Sequence, residues 1–199
     1  MRKDKWRCSE VQKLKTTFKA LTIDSWNDFE RLFGERGACG GCWCMYWRLR
    51  NKDFENQKGK GNKKAMKNLV NKDQQIGIIM YVDEVPIGWC SVAPREDFLR
   101  LQNSRILKPV DDKSVWSIVC FFIDNKYRRH GNSAKLLKGI IEFSKKKNVK
   151  ILEGYPTEPK KDNMPAAFAW TGIASAFNKS GFHEVIRRSE TRPIMRYYL

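Results

Sequence analysis

The run Val115-Trp116-Ser117-Ile118-Val119-Cys120-Phe121-Phe122-Ile123 is almost wholly apolar, as expected of a strand buried on both faces. A polar, basic stretch follows, Asp124–Ser133. A helix pattern comes next: Leu136, Leu137, Ile140, Ile141 and Phe143 form one apolar stripe. Lys145–Lys147 suit the negative end of that helix. Val149–Tyr155 then reads as a second strand. Strand, turn, helix and strand make a βαβ unit, and the rest of the chain must be arranged around it.

Ile76–Val82 and Val85–Val92 form a hairpin across Asp83-Glu84. Pro94–Gln102 reads as a short helix and Lys108–Lys113 as a charged turn. Pro165–Lys179 reads as a helix closed by Ser180-Gly181. Phe182–Arg188 and Arg192–Tyr198 are the last two strands. Upstream, Thr22–Ser25 opens a helix with Trp26, Phe29, Leu32 and Phe33 at helical spacing, ending at Gly34 or Gly37. Cys42–Leu49 is a strand or a buried connector, Asn51–Gly61 a polar loop without a core, and Asn62–Val70 a basic helix. Residues 1–20 are expected to be a loosely held basic arm and residues 21–199 a single domain. There is no internal repeat.

With 41% hydrophobic and 12% aromatic residues in 199, the chain has material for a core. No uncharged stretch is long enough to span a bilayer. No apolar run follows the basic Met1–Lys5, so no secretory signal is expected. The six cysteines are then expected as reduced thiols in a cytoplasm. Cys39, Cys42 and Cys44 could supply most of a zinc site, with Cys8 completing it. Alternatively, Cys42 and Cys44 alternate with Trp43 and Met45 along a half-buried strand. The strand reading is preferred and no metal is expected. Two histidines, His130 and His183, leave little scope for a Ser/His/Asp triad. A net charge of +17 attracts anions, although its spread along the chain also suits plain solubility.

The junction Arg128-Arg129-His130-Gly131-Asn132-Ser133-Ala134 lies between buried strand and helix. Unpaired amides at a helix start, aided by its dipole, bind phosphate. Gly131 lets the main chain come close to a ligand, and Arg128 and Arg129 add charge. This reads as a pyrophosphate site. An ordinary strand–helix turn with a basic surface fits the same residues.

Tyr127–Ser133, following Phe121-Phe122-Ile123-Asp124, resembles the acetyl-CoA motif of the GNAT N-acetyltransferase superfamily. Arg128 and Gly131 match that motif; Ser133 stands where Gly or Ala is usual. Phe177-Asn178-Lys179-Ser180-Gly181-Phe182 resembles the family's aromatic-x-Lys-x-Gly-Phe segment. Cys42–Arg48 and Gly88–Arg95 resemble a bacterial subgroup. The resemblance implies an α+β fold with a mixed, mostly antiparallel sheet of six to seven strands flanked by helices. It implies acetyl-CoA as co-substrate and direct attack of an amine on the thioester. Val119–Ile123 should splay from Ile151–Tyr155, with pantothenate in the gap on main-chain groups of Phe121 and Ile123, beside Phe122. The pyrophosphate should rest on the amides of Arg129–Ala134, with His130 able to touch phosphate.

Proton transfer is where the sequence departs from the family. A tyrosine often stands at the position of Phe177, which has no hydroxyl. Tyr155 is a candidate acid and Glu153, on the same strand face, a candidate base. A core aromatic and a salt-bridged strand residue are the alternatives. Cys120 is read as a buried core residue, with an acetyl-Cys route as the alternative. Trp43, Trp47, Trp89 and Trp170 could wall a pocket for a cationic amine or belong to the core. His183 is read as a strand residue. Expected partners are acetyl-CoA and an amine acceptor, with a homodimer possible. A catalytically silent nucleic-acid-binding module on the same fold is the alternative function.

Overall fold

The structure is a computed structural model that describes residues 14–159 and 169–199. Seven strands form one sheet: β1 (Thr16–Ala20), β2 (Gly77–Val82), β3 (Val85–Pro94), β4 (Trp116–Ile123), β5 (Ile151–Gly154), β6 (His183–Arg187) and β7 (Pro193–Tyr198). Their order is β1-β2-β3-β4-β5-β7-β6. Among these strands of the described residues only β4 and β5 pair in parallel, through the crossover helix α5 (Asn132–Lys146). Every other neighbouring pair is antiparallel. The mixed, mostly antiparallel sheet matches the expected fold class.

The α5 stripe explains one layer. Leu136, Leu137, Ile140 and Ile141 bury against Ile118, Phe121 and Ile123 of β4. Helix α6 (Ala174–Lys179) adds Ala174 and Phe177 to the same face. The opposite face is covered by α1 (Trp26–Phe33), which buries Trp26, Phe29, Leu32 and Phe33, and by α3 (Lys60–Asn71), which buries Met66 and Val70. A third cluster joins Trp47, Val119, Tyr155 and Ile194 to α4 (Leu99–Gln102) through Phe98 and Leu101.

The structure corrects several sequence expectations. Residues 16–20 are β1, paired with β2 from Thr16↔Val82 to Ala20↔Ile78, so the arm ends before residue 16. Phe18 explains the docking: its ring sits where a Cβ on Gly139 of α5 would lie, 2.5 Å away. Residues 1–13 of the arm lie outside the described residues. Asn51–Gly61 is not a bare loop, because α2 (Asn51–Asn56) forms there and buries Phe54. Cys42–Leu49 is a connector of turns. Positive φ angles at Gly41, Trp43 and Cys44 (73°, 43° and 56°) exclude a strand there. Of the helix expected over Pro165–Lys179, α6 covers Ala174–Lys179 among the described residues. Gly172, at φ 86°, and the extended Ile173 precede it, and residues 160–168 lie outside the described residues.

Candidate active site

The β4–β5 ladder is short, running from Trp116↔Leu152 to Ile118↔Gly154. Val119 is then an extra residue in the pairing with β3, because Ser91 faces Cys120 while Val92 faces Ile118. Such a bulge ends regular pairing and re-aims side chains. Beyond it β4 stays on β3 and has no register with β5, as the expected splay requires.

The splay is not empty. Trp170–Ile173 runs into it. The Phe121 amide donates to the Trp170 carbonyl at 2.6 Å. On the other side Thr157 bridges Ile173 in parallel, and its amide donates to Gly172 O at 2.9 Å. Ile123 O accepts from Arg128 Nε at 2.7 Å. Phe121 and Ile123 therefore do turn main-chain groups toward the gap, but the Phe121 amide and the Ile123 carbonyl are already bonded. Phe122 differs. It pairs with Trp89 of β3, and its ring lies 5.4 Å from that of Phe33, so it is a packing residue.

The basic turn is built as a helix start. Gly131 is left-handed at φ 71° and immediately precedes α5, and Arg129 is left-handed as well, at φ 63°. Asn132 Nδ2 donates to Tyr127 O at 2.8 Å and closes the loop. Arg129, His130 and Gly131 are exposed. A Cβ on Gly131 would meet nothing within 4 Å, so the space over the turn is open. The first amides of an α-helix lack partners within the helix, which suits this end to an anion. Ala134 is a correction: its amide donates to Gly131 O within the turn, at 3.1 Å. Arg128 ties the turn to β4 rather than standing free.

Glu153 and Tyr155 sit in a buried ion network. Tyr155 donates to Glu153 Oε1 at 2.6 Å and lies within hydrogen-bond reach of Ser117 Oγ at 2.8 Å. Arg95 Nη1 donates to Glu153 Oε1 at 3.1 Å and Arg196 Nε to Oε2 at 2.8 Å. Arg196 then grips Asp111 with two bonds of 2.7 and 2.9 Å. The Glu153 side chain is 1% exposed. Its oxygens are taken up by two guanidiniums and a phenol, which is the salt-bridged alternative and not a free base. Burial, then the Glu153 charge, push the Tyr155 phenol well above its ordinary value, so it holds its proton.

The tryptophans divide. Trp43 and Trp89 are core, Trp43 stacked on Phe33 and Trp89 edge-on to Phe29 and Phe33. Trp47 and Trp170 line a cleft of about 510 Å³ with Tyr46, Arg50, Arg100 and Arg192. Two thiols also meet, a pairing that no local pattern signalled. Burial opposes ionisation of Cys44, yet hydrogen bonds from Cys120 and from Trp89 Nε1, at 3.2 Å, bring its thiol below the ordinary value. The bond to Cys44, then burial, raise Cys120 well above its own, and the side chain is only partly buried, packed against the core rather than within it. Among the described residues no group of three or more His, Cys, Asp or Glu is placed to hold a metal ion. Cys8 lies outside them. His183 is exposed on β6 and stacks with Tyr198. No helix among the described residues is long and apolar enough to cross a membrane.

A splayed parallel pair beside a glycine-headed helix is the frame in which sequence comparison becomes decisive. Residues 43–170 match the family described as Acetyltransferase (GNAT) family. The chain belongs to the GNAT acetyltransferases. Solved GNAT structures share the fold. One is a GNAT-family acetyltransferase from Streptococcus agalactiae, with TM-score 0.56, 12% identity, and coverage of 92% of this chain and 95% of that one. Another is the PaiA N-acetyltransferase from Thermoplasma acidophilum in complex with coenzyme A, with TM-score 0.52, 14% identity, and coverage of 93% and 99%. An uncharacterized protein from Bacillus halodurans is similar at TM-score 0.55 and 16% identity, over 93% and 84%. No curated protein matches. Within this GNAT frame Phe177, standing where a tyrosine was expected, is fully buried against Phe121 and Phe182. A Cβ on Gly154 would lie 2.1 Å from its ring. The position is packing, with no hydroxyl to offer.

Proposed function

We propose that the protein transfers an acetyl group from acetyl-CoA to an amine by direct attack on the thioester. The observation that carries this reading is the junction of the β4–β5 splay with the left-handed, uncovered Gly131 turn at the head of α5. The turn fits the pyrophosphate: it is open, exposed, and lined by the first amides of a helix. The splay offers the Phe121 amide once the Trp170 carbonyl lets go.

The residues of this chain hold, orient and shield. The amides of Arg129–Ser133 and the Arg129 side chain bind the anionic end. The β4 main chain sets the depth of the thioester. The bulge at Val119 ends the regular pairing of β4 beside Trp47 and Trp170, which pack in the same cluster as Val119. Glu153 and Tyr155 hold β5 in place through Arg95 and Arg196 and so position the splay. As the new C–N bond forms and the C–S bond breaks, the attacking amine gives up its proton to water reached through the cleft, and the coenzyme A thiolate leaves and takes its proton from water.

Calorimetric titration with acetyl-CoA tests the reading. Gly131→Ala keeps the turn open and adds only the strain of a left-handed non-glycine residue, about 1–2 kcal/mol. Gly131→Glu adds a carboxylate over the turn. Micromolar binding, kept in Gly131→Ala and lowered about 100-fold in Gly131→Glu, is expected. Absence of binding by the folded parent, or equal binding by both variants, overturns it.

A further inference from the structure

We infer that the cleft walled by Tyr46, Trp47 and Trp170 receives an acceptor carrying an anionic group, a carboxylate or a phosphate, on a planar apolar body. Calling the ligand an acceptor rests on the acetyl-transfer reading; the chemistry of the cleft does not.

Three rings build the apolar part. Tyr46 and Trp170 meet at 5.1 Å and Trp47 and Trp170 at 5.6 Å, with Tyr46 edge-on to Trp47 at 5.3 Å. A flat group fits such walls better than a flexible chain. Guanidiniums build the polar part. Arg50 at the rim is paired with Asp53 at 2.9 Å and 78% exposed, so it adds little. Arg100 and Arg192 differ. Arg100 stacks on Tyr46 with its guanidinium carbon 3.8 Å from the ring centroid, and its Nε donates to Leu49 O at 3.0 Å. Its Nη2 is buried without a partner among the described residues. Arg192 donates to Thr171 Oγ1 at 2.8 Å, and burial lowers its affinity for its own proton. Among the described residues no carboxylate bonds either one, and no Asp or Glu lines the cleft. The Trp47 indole N–H on the same wall is likewise buried without a partner among the described residues.

Two half-buried guanidiniums without a carboxylate partner and, among the described residues, an unpaired indole donor favour an acceptor with negative charge. They repel a cationic head, so the expected pocket for an ammonium group does not describe this cleft. Repulsion also aids the reaction. An ammonium held near two guanidiniums loses its proton more readily, which supplies the neutral nucleophile in a site whose one buried carboxylate is already engaged. Trp170 connects the cleft to the transfer point, with its ring on the cleft wall and its carbonyl on the Phe121 amide.

Tryptophan fluorescence and calorimetry of the whole protein, with benzoate, phenyl phosphate, benzamide and benzylammonium, test this directly. Each probe is measured with and without saturating acetyl-CoA. One of the two anions is expected to bind at least about tenfold tighter than benzamide and benzylammonium, and which one wins identifies the group. Arg192→Gln and Arg100→Gln should each reduce that preference to less than about threefold while thermal midpoint and acetyl-CoA affinity hold. Equal binding of anion and neutral probe, tighter binding of the cation, or no anion binding by folded protein overturns the inference. So does simple competition between the anion and acetyl-CoA, which would place the co-substrate in the cleft. If the anion binds and acetyl-CoA does not, the cleft stands and the acetyl-transfer reading falls.

Discussion

Replacing Glu153 by Gln removes a charge from a side chain that is 1% exposed and lies between two guanidiniums. Gln keeps the shape and one acceptor oxygen. Arg196 still holds Asp111, and Arg95 still donates to the carbonyls of Leu101 and Leu107. Breaking a buried ion pair from one side costs about 3–5 kcal/mol. The surviving partners place this case at the lower end, about 3 kcal/mol. For a domain of this size each kcal/mol moves the thermal midpoint by about 2–4 °C. The expected fall is therefore roughly 6–12 °C. Calorimetry measures the midpoint, and steady-state acetylation below it measures turnover. If Glu153 positions β5, turnover per folded molecule falls less than about threefold and its pH profile keeps its shape. An unchanged midpoint with turnover lowered more than about tenfold and a displaced pH profile would refute this reasoning and return Glu153 to the role of base.

Arg196 holds the Asp111 carboxyl down at about 2. A depressed folded-state value contributes stability that is complete above the unfolded value of about 4 and is lost as pH falls toward 2. Asp111→Asn should thus lie below the parent at neutral pH and converge with it between about pH 4 and 2; a thermal-midpoint gap constant with pH would contradict the pairing. Gly139→Val should expel the Phe18 ring, since a Cβ there comes within 2.5 Å of it. Hydrogen exchange of the Thr16–Ala20 amides should then rise at least about tenfold while β2–β4 amides stay protected; unchanged exchange at β1 would show that Phe18 does not hold it.

What could be read from the sequence was what local period and composition encode. The Val115–Ile123 run, the α5 stripe and the hairpin announced themselves because burial on a strand or helix leaves a repeating mark. Strand β1 left little mark: Phe18 is its one large apolar residue, and it lies among lysines. Helix α2 commits only Phe54 to the core. The connector after α1 has the apolar content of a strand, but its backbone is turned by Gly40, Gly41 and the left-handed Ala38, Trp43 and Cys44. The glycine-headed basic turn was legible, because Gly131 and its arginines are contiguous. The engagement of Glu153 was not. Its partners Arg95 and Arg196 lie 58 and 43 residues away, a juxtaposition that only the sheet makes. The same holds for the tryptophans, two of which face the core and two the cleft.

Trp170 brings the two halves of the site together. Its carbonyl closes the splay by one hydrogen bond to Phe121, and its ring closes the cleft against Tyr46 and Trp47. Opening the splay exchanges that bond for one to an incoming carbonyl, amide to amide. Such exchanges are nearly even, since one intramolecular hydrogen bond is worth about 1 kcal/mol net. The cost falls instead on the ring contacts, each worth about 0.5–1.5 kcal/mol beyond burial. A flat acceptor between Tyr46 and Trp47 restores those contacts, whereas an acceptor without a planar body does not. If these aromatic walls select the acceptor, they also set how readily acetyl-CoA enters, and Trp170→Ala should tighten acetyl-CoA while weakening the acceptor. A parallel loss of both affinities would separate the two sites and leave Trp170 as packing alone.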